Sequence, residues 1–299
     1  MIETATFTGL VSPKTGKTLI QRETELITND GLEKFPIRHG IACLLDDNSI
    51  AGNSALRHEM EVFDKLQTGE STPFFREVFF RDMLQVLEKI GFGKTGSMVE
   101  MGGGQGHWAG FVKANLPESD IYVTDLSTQA LRRAPGTLHR VFADMTGKVF
   151  EQGFLDMVSF WVSLHHLDRG DIEKTLREAF DALKTGGYLL VFEPNSGFFP
   201  RSVMYKTKLS QDVYFDENEK AIDFDNLSVI AKGLGFEQLK TTFLNPPYNI
   251  NFIKKLKRWY IYFPVVEFLH TLDRLFLNRI VGTTKYTSLY GLAIYRKVI

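Results

Sequence analysis

The stretch Met98-Val-Glu-Met-Gly-Gly-Gly-Gln-Gly-His-Trp-Ala-Gly-Phe-Val112 decides how this chain folds. An apolar run carrying one acid, Glu100, leads into glycines at the alternate positions Gly102, Gly104 and Gly106, with Gly103 between them. Upstream, the turn formers of Gly91-Phe92-Gly93-Lys94-Thr95-Gly96 delimit a strand that begins near Ser97. Downstream, Trp108, Phe111, Val112 and Leu116 recur at helical spacing until Pro117 ends the pattern. The segment reads as strand, glycine turn, helix. So tight a turn needs positive φ, and bare backbone lets a ligand approach closely.

Two classes of ligand use such a turn. Gly104-x-Gly106-x-x-Ala109 satisfies the dinucleotide fingerprint, and Asp125 lies about 20 residues further on. Glu100 argues the other way, because a dinucleotide site usually keeps this strand apolar up to the first glycine. An acid followed by G-x-G-x-G resembles motif I of the class I S-adenosylmethionine-dependent methyltransferases. The resemblance implies that Glu100 sits near the methionine end of the cofactor, helping to hold its ammonium group. It implies too that Gly102, Gly103, Gly104 and Gly106 let methionine and ribose lie against the loop.

Further motifs follow in the family's order. Ile121-Tyr122-Val123-Thr124-Asp125 is a short strand ending in an acid, and Ser127 is an N-cap for a helix from Thr128 to Arg133. By resemblance, Asp125 with Leu126 beside it takes the ribose hydroxyls. Leu138 to Phe142 is a third strand, after which Asp144 would bond the adenine amino group and Met145 would pack on the ring. Leu155 to Trp161 leads into Leu164-His165-His166-Leu167-Asp168, which is similar to the family's F-D-x-V segment with its L-H-H ending. Phe160 and Trp161 would face the cofactor. Asp171 caps a helix carrying Ile172, Leu176, Phe180 and Leu183, and Gly186-Gly187 stops it. Tyr188 to Pro194 matches the family's G-G-x-L-x-x-x-E-P pattern. A helix from Phe224 to Leu234, a strand from Glu237 to Leu244 and a last strand from Leu289 to Val298 complete the series. Strands separated by helices imply an α/β, Rossmann-like, mostly parallel seven-stranded sheet flanked by helices, with an antiparallel strand at one edge.

Methyl transfer needs alignment more than functional groups, and a hydroxyl acceptor benefits from losing a proton. The candidate bases are His165 and His166, since imidazole titrates near neutrality. Leu164 to Asp168 is similar to the L-H-D-W segment of plant phenol O-methyltransferases, in which His165 takes the place of the deprotonating histidine. The same pair also suits a structural role beneath the cofactor. The expected activity is methyl transfer from S-adenosylmethionine to a small or lipid-like acceptor, at oxygen. The alternatives are an RNA methyltransferase that uses the N-terminal module as its reader and an oxidoreductase that binds NAD(P).

Residues 1–50 read as a separate, β-rich module. Its Phe35-to-Leu45 ending resembles the zinc-ribbon-like activator of methyltransferases, but Ser12 and Thr15 stand where that module has cysteines. Hydroxyls are poor zinc ligands, so no metal is expected. Residues 51–95 carry helical periodicity and read as a cover or linker before a domain at 96–299. Within that domain roughly 40 residues, about 246–286, intervene before the last strand, far beyond a hairpin connection. Lys254, Lys255, Lys257 and Arg258 there precede an aromatic run and then apolar residues at helical spacing. This insertion reads as a helical pair that packs on the sheet, faces a membrane surface or joins two copies of the chain. A net charge of −1 gives no global reason to expect DNA, and the one cysteine, Cys43, rules out an internal disulfide. No basic, apolar leader and no long uncharged apolar run are evident, so the expected address is the cytoplasm.

Overall fold

The structure is a computed structural model of the chain, and it describes residues 6–45, 73–92, 95–198, 220–244, 285–286, 288 and 290–298. The expected helices before residue 73 and nearly all of the insertion at 246–286 lie outside these residues.

The chain first runs through a small antiparallel meander: β1 (Leu19–Arg22), β2 (Glu25–Thr28), β3 (Lys34–Arg38) and β4 (Ile41–Cys43). The apolar stretch from Phe35 to Leu45 is split into two strands by His39 and Gly40, both at positive φ. Helix α1 (Pro73–Lys89) leads to β5 (Ser97–Met101), the glycine loop and α2 (His107–Asn115). There follow β6 (Asp120–Asp125), α3 (Thr128–Arg133), β7 (His139–Phe142), β8 (Leu155–Trp161) and a 3₁₀ turn at Leu164–His166. The last elements are α4 (Arg169–Ala182), β9 (Leu183–Pro194), α5 (Phe224–Leu234), β10 (Phe236–Leu244) and β11 (Tyr290–Lys297). Helix α4 begins two residues before Asp171, with Asp168 at its N-cap, and Leu183 opens the next strand instead of closing the helix.

Seven strands lie in the order β7-β6-β5-β8-β9-β11-β10, parallel from β7 to β9. The antiparallel strand β11 is not at the edge as expected but lies between β9 and β10, because β10 and β11 pair as a hairpin and β11 takes the inner place. The N-terminal meander does not stand apart. Its β4 pairs in parallel with β7, from Ile41↔Arg140 to Cys43↔Phe142, and the sheet becomes eleven-stranded. A four-residue strand at an open edge leaves backbone groups unpaired, and β4 satisfies them. The residues before β1 hold the module to the other face: Tyr122 Oη donates to Thr8 O at 3.0 Å, and Leu10 bridges Phe150.

Because side chains alternate along each strand, both faces of the sheet are apolar. Met98, Ile121 and Val123 pack under α1, α2 and α3, against Leu87, Trp108, Val112 and Leu131. Val99, Met101 and Tyr122 face α4 and α5, with Leu176, Ala179, Leu227 and Ala231. Each aliphatic chain so buried contributes about 1.5–3 kcal/mol, which holds the helices over both faces. After β7 the chain returns to the other side of β5 to form β8, so the connections diverge between these two strands. An open α/β sheet leaves a crevice at the carboxyl ends of its strands where this reversal occurs. No helix among the described residues is long and apolar enough to cross a membrane.

Candidate active site

Two segments flank that crevice: the glycine loop after β5 and the turn after β8. In the loop, Gly102, Gly104 and Gly106 have φ of 65°, 56° and 62°, the left-handed region that glycine occupies without cost. Gly103 N donates to Thr124 O at 2.9 Å, Gly104 N to Asp125 Oδ2 at 2.7 Å, and Gly106 N to Gly103 O at 2.8 Å. The loop is thus shaped by its own hydrogen bonds. Space enforces the glycines as well, since a Cβ on Gly103 would lie 2.7 Å from Glu100 and one on Gly106 would lie 2.8 Å from Leu138.

Glu100 is 3% exposed and lies beneath the loop. Its Oε2 accepts from Ala109 N at 2.8 Å, tying the strand to the first turn of α2. Burial pushes its carboxyl up to about 8, against the pull of the Ala109 bond and with a smaller push from Asp125. The side chain expected to hold an ammonium group therefore supports the loop from below. Asp125 sits at the end of β6, where Oδ2 takes Gly104 N and Oδ1 takes Ser127 N, each at 2.7 Å. Leu126 beside it is half-buried. Asp144 Oδ1 accepts from Thr146 N at 2.8 Å and shapes the turn after β7.

Met145 reaches the loop, its Cε 3.6 Å from where Gly102 would carry a Cβ. Phe160 and Trp161, adjacent in sequence, point to opposite faces. Phe160 is fully buried in the core against α4 and α5, leaving no surface for a ligand. Trp161 stacks on Trp108 with centroids 5.0 Å apart and packs against Phe192 at 4.6 Å.

The second segment is built on Glu193, fully buried at the end of β9. Its Oε1 accepts from the N–H groups of Ser163 and Leu164, both at 2.7 Å, and its Oε2 lies 2.8 Å from His165 Nδ1. These bonds hold a turn in which Val162, a β-branched residue, has φ of 56°. A carboxylate on Nδ1 assigns the proton to that nitrogen, which makes Nε2 of the neutral ring the basic one. His166 packs on His165 with centroids 4.0 Å apart; burial, with a smaller contribution from His165, pushes its value down to about 3. At neutral pH His166 is an uncharged ring. The sequence pattern marks Glu193 only as the acid of an E-P pair. The signal that points to it is its place at a strand's carboxyl end, the same signal that marks Asp125.

Residues 74–241 match the family described as "Methyltransferase domain". A curated relative, phosphoethanolamine N-methyltransferase 2 of Caenorhabditis elegans, is 28% identical over 181 residues, 57% of this chain and 39% of the relative. This chain therefore spans well under half of that relative's length. Among solved structures, phosphoethanolamine N-methyltransferase 2 of Haemonchus contortus in complex with S-adenosyl-L-methionine shares the fold. Its TM-score is 0.54 at 20% identity, over 82% of this chain and 60% of that one. A SAM-dependent methyltransferase from Archaeoglobus fulgidus gives 0.51 at 15% identity, over 76% and 95%. The family match takes in more than half of the chain, from α1 through the glycine loop and both flanking turns into β10, and the chain belongs to the methyltransferase-domain family.

Proposed function

We propose that this chain transfers the methyl group of S-adenosylmethionine to a small or lipid-like acceptor, with oxygen as the acceptor atom. The observation that carries the reading is the left-handed glycine loop at the reversal point of the sheet, locked by Asp125 through Gly104 N. The chemistry of the residues fits the cofactor: Asp125 and Asp144 stand at the ends of the neighbouring strands β6 and β7 as acceptors for hydroxyl and amino donors, beside a glycine loop at positive φ. In this reading Asp125, with Leu126, takes the ribose hydroxyls; Asp144 and Met145 take the adenine; and Gly102 to Gly106 form the floor, with Glu100 beneath. When bound, S-adenosylmethionine supplies an electrophilic methyl group on a sulfonium. His165 is the base: Glu193 fixes its tautomer and leaves Nε2 to accept the proton that the acceptor gives up. His166 supports that ring from below.

A second reading takes an amine as acceptor, favoured by the likeness to a phosphoethanolamine N-methyltransferase. An ammonium must also lose a proton before it can attack, so the same base serves. The N-terminal module favours a small acceptor over RNA: its cations and acids are interleaved, and Lys17–Asp30 and Lys34–Glu25 pair with each other. In place of a metal site, Ser12 Oγ accepts from Lys14 N and Thr15 N, and Thr15 Oγ1 donates to Glu33. We propose this module as a metal-free extension of the sheet and the cytoplasm as the chain's address. Calorimetric titration with S-adenosylmethionine, S-adenosylhomocysteine, NAD(H) and NADP(H) tests the cofactor. Binding of the first two alone is expected, and binding of a nicotinamide cofactor alone overturns the reading. Transfer of labelled methyl to phosphoethanolamine and to hydroxylated acceptors then separates nitrogen from oxygen.

A further inference from the structure

Asn195 follows β9 directly, two residues beyond Glu193, and is buried. A buried side-chain amide is costly unless its donors and its oxygen are engaged. Those of Asn195 are engaged with distant partners. Nδ2 donates to Lys285 O at 2.5 Å and to Ser288 O at 2.8 Å, and Oδ1 accepts from Gly197 N at 3.1 Å. Two carbonyls on one side and an N–H on the other settle which amide atom is the nitrogen. The carbonyls belong to the chain just before β11, 90 and 93 residues further on. Gly197 completes the contact, since a Cβ there would lie 2.9 Å from Lys285 O.

The four residues from Glu193 to Ser196 reach the His165 turn by two routes. One is Glu193 itself, bonded to Ser163 N, Leu164 N and His165 Nδ1. The other runs through Lys220 to Ile222. Ile222 N donates to Pro194 O at 2.8 Å, Ser196 N donates to Ile222 O at 2.9 Å, and Lys220 N donates to His165 O at 3.1 Å. One short segment thus grips His165 by its ring and by its backbone. That segment extends past the ladder between β9 and β11, which ends at the pair Pro194↔Tyr290. Beyond this pair, the Asn195 amide supplies the tie to the β11 side that the ladder no longer gives.

We propose that Asn195 is a positioning residue for the base: by tying the end of β9 to the chain that enters β11, its amide holds the Glu193 carboxylate against His165 Nδ1 and keeps Nε2 free for the acceptor's proton. Asn195 touches neither the imidazole nor the reacting atoms and acts through Glu193. The contact between Glu193 and His165 is 2.8 Å, and a displacement of about 1 Å takes it beyond hydrogen-bond range. The proposal rests on His165 being the base.

The test is Asn195→Asp in the full chain, which keeps the shape but turns two donors into acceptors that face two carbonyls. The first readout is the proton NMR signal of His165 Nδ1–H, which a bond to a buried carboxylate moves downfield and which is assigned by its absence in His165→Gln. The second is calorimetric titration with S-adenosylhomocysteine. Wild type is expected to show the signal. Asn195→Asp is expected to lose it while the Kd for S-adenosylhomocysteine stays within about 3-fold, because none of the bonds removed involves β5, β6 or β7. Gly197→Ala leaves the amide in place and crowds Lys285 O, so it should weaken the same signal, and it decides the matter if Asn195→Asp does not fold. A wild-type chain without the signal, a full signal in the folded variant, or a lost signal with an equal loss of S-adenosylhomocysteine affinity would each overturn the assignment. Unchanged methyl transfer by His165→Gln would instead overturn the reading of His165 as the base, and this proposal with it, whatever the signal shows.

Discussion

Glu100 and Glu193 are the same side chain type, both buried at the carboxyl half of neighbouring parts of one parallel sheet, and the protein treats them in opposite ways. Glu100, under the glycine loop, receives one hydrogen bond, from Ala109 N, and burial drives its carboxyl toward the protonated form. Glu193, behind the turn after β8, receives two backbone N–H groups and faces the His165 ring as well. The number of donors, more than the depth of burial, sets what a buried carboxyl can do. One group fills space and ties a strand to a helix. The other organises a turn and orients an imidazole.

The largest effect is expected from removing the well-provided group. Glu193→Ala leaves two N–H groups and a ring nitrogen buried without their acceptor, and it should cost about 3–5 kcal/mol in urea unfolding. Glu193→Gln keeps one acceptor oxygen for Ser163 and Leu164 and should cost less. A Glu193→Ala chain as stable as wild type would break the comparison.

The poorly provided carboxyl should respond to pH instead. With a folded value near 8 and an ordinary value of 4.5, the folded chain binds the Glu100 proton more tightly than the unfolded chain. Stability linked to it is therefore complete below pH 4.5 and is lost as pH rises toward 8. Glu100→Gln keeps an acceptor for Ala109 N and removes this dependence. It should gain about 3–4 kcal/mol relative to wild type between pH 5 and pH 8 in paired denaturation curves. Parallel curves for the two chains would show that Glu100 is ionised after all.

Gly102→Ala probes the place where the two regions meet. Its φ of 65° and the 2.8 Å approach to Ser163 Cβ oppose any side chain. A loss of about 1–2 kcal/mol is expected by thermal unfolding, together with loss of S-adenosylmethionine binding in the calorimeter. Full affinity in this variant would place the ligand elsewhere.

His166 supplies the smallest effect. Its value lies near 3 in the folded chain against an ordinary 6.5, so the unfolded chain takes up protons that the folded one refuses. The stability is complete above pH 6.5 and falls as pH drops toward 3. His166→Gln should narrow the loss at pH 5.5 by about 1 kcal/mol, read from unfolding midpoints at pH 5.5 and 7.5.

Much of this architecture is legible in short stretches. Ser127 accepts from Ala130 N as an N-cap should, and the helix it starts ends at Arg133 as its pattern implies. Asp125 stands at the end of its strand with its carboxylate turned to Gly104. The order of strands and helices from β5 to β11 follows from alternating periodicities and the glycines that punctuate them. Less legible were relations between distant residues. Nothing near Cys43 announces that β4 will lie beside Phe142, and nothing near His165 announces Glu193, 28 residues away.

By itself, then, the amino-acid order determined the strand, glycine turn and helix around Glu100, the placing of acids at strand ends, and the family. These depend on steric and hydrogen-bonding preferences that act over a few residues. Only the tertiary structure decided that Glu100 turns inward, that Phe160 is core while Trp161 stacks on Trp108, and that Ser163 faces Gly102. Those outcomes depend on which strand neighbours which, and on how many donors reach a buried atom once the sheet and its helices have closed around it.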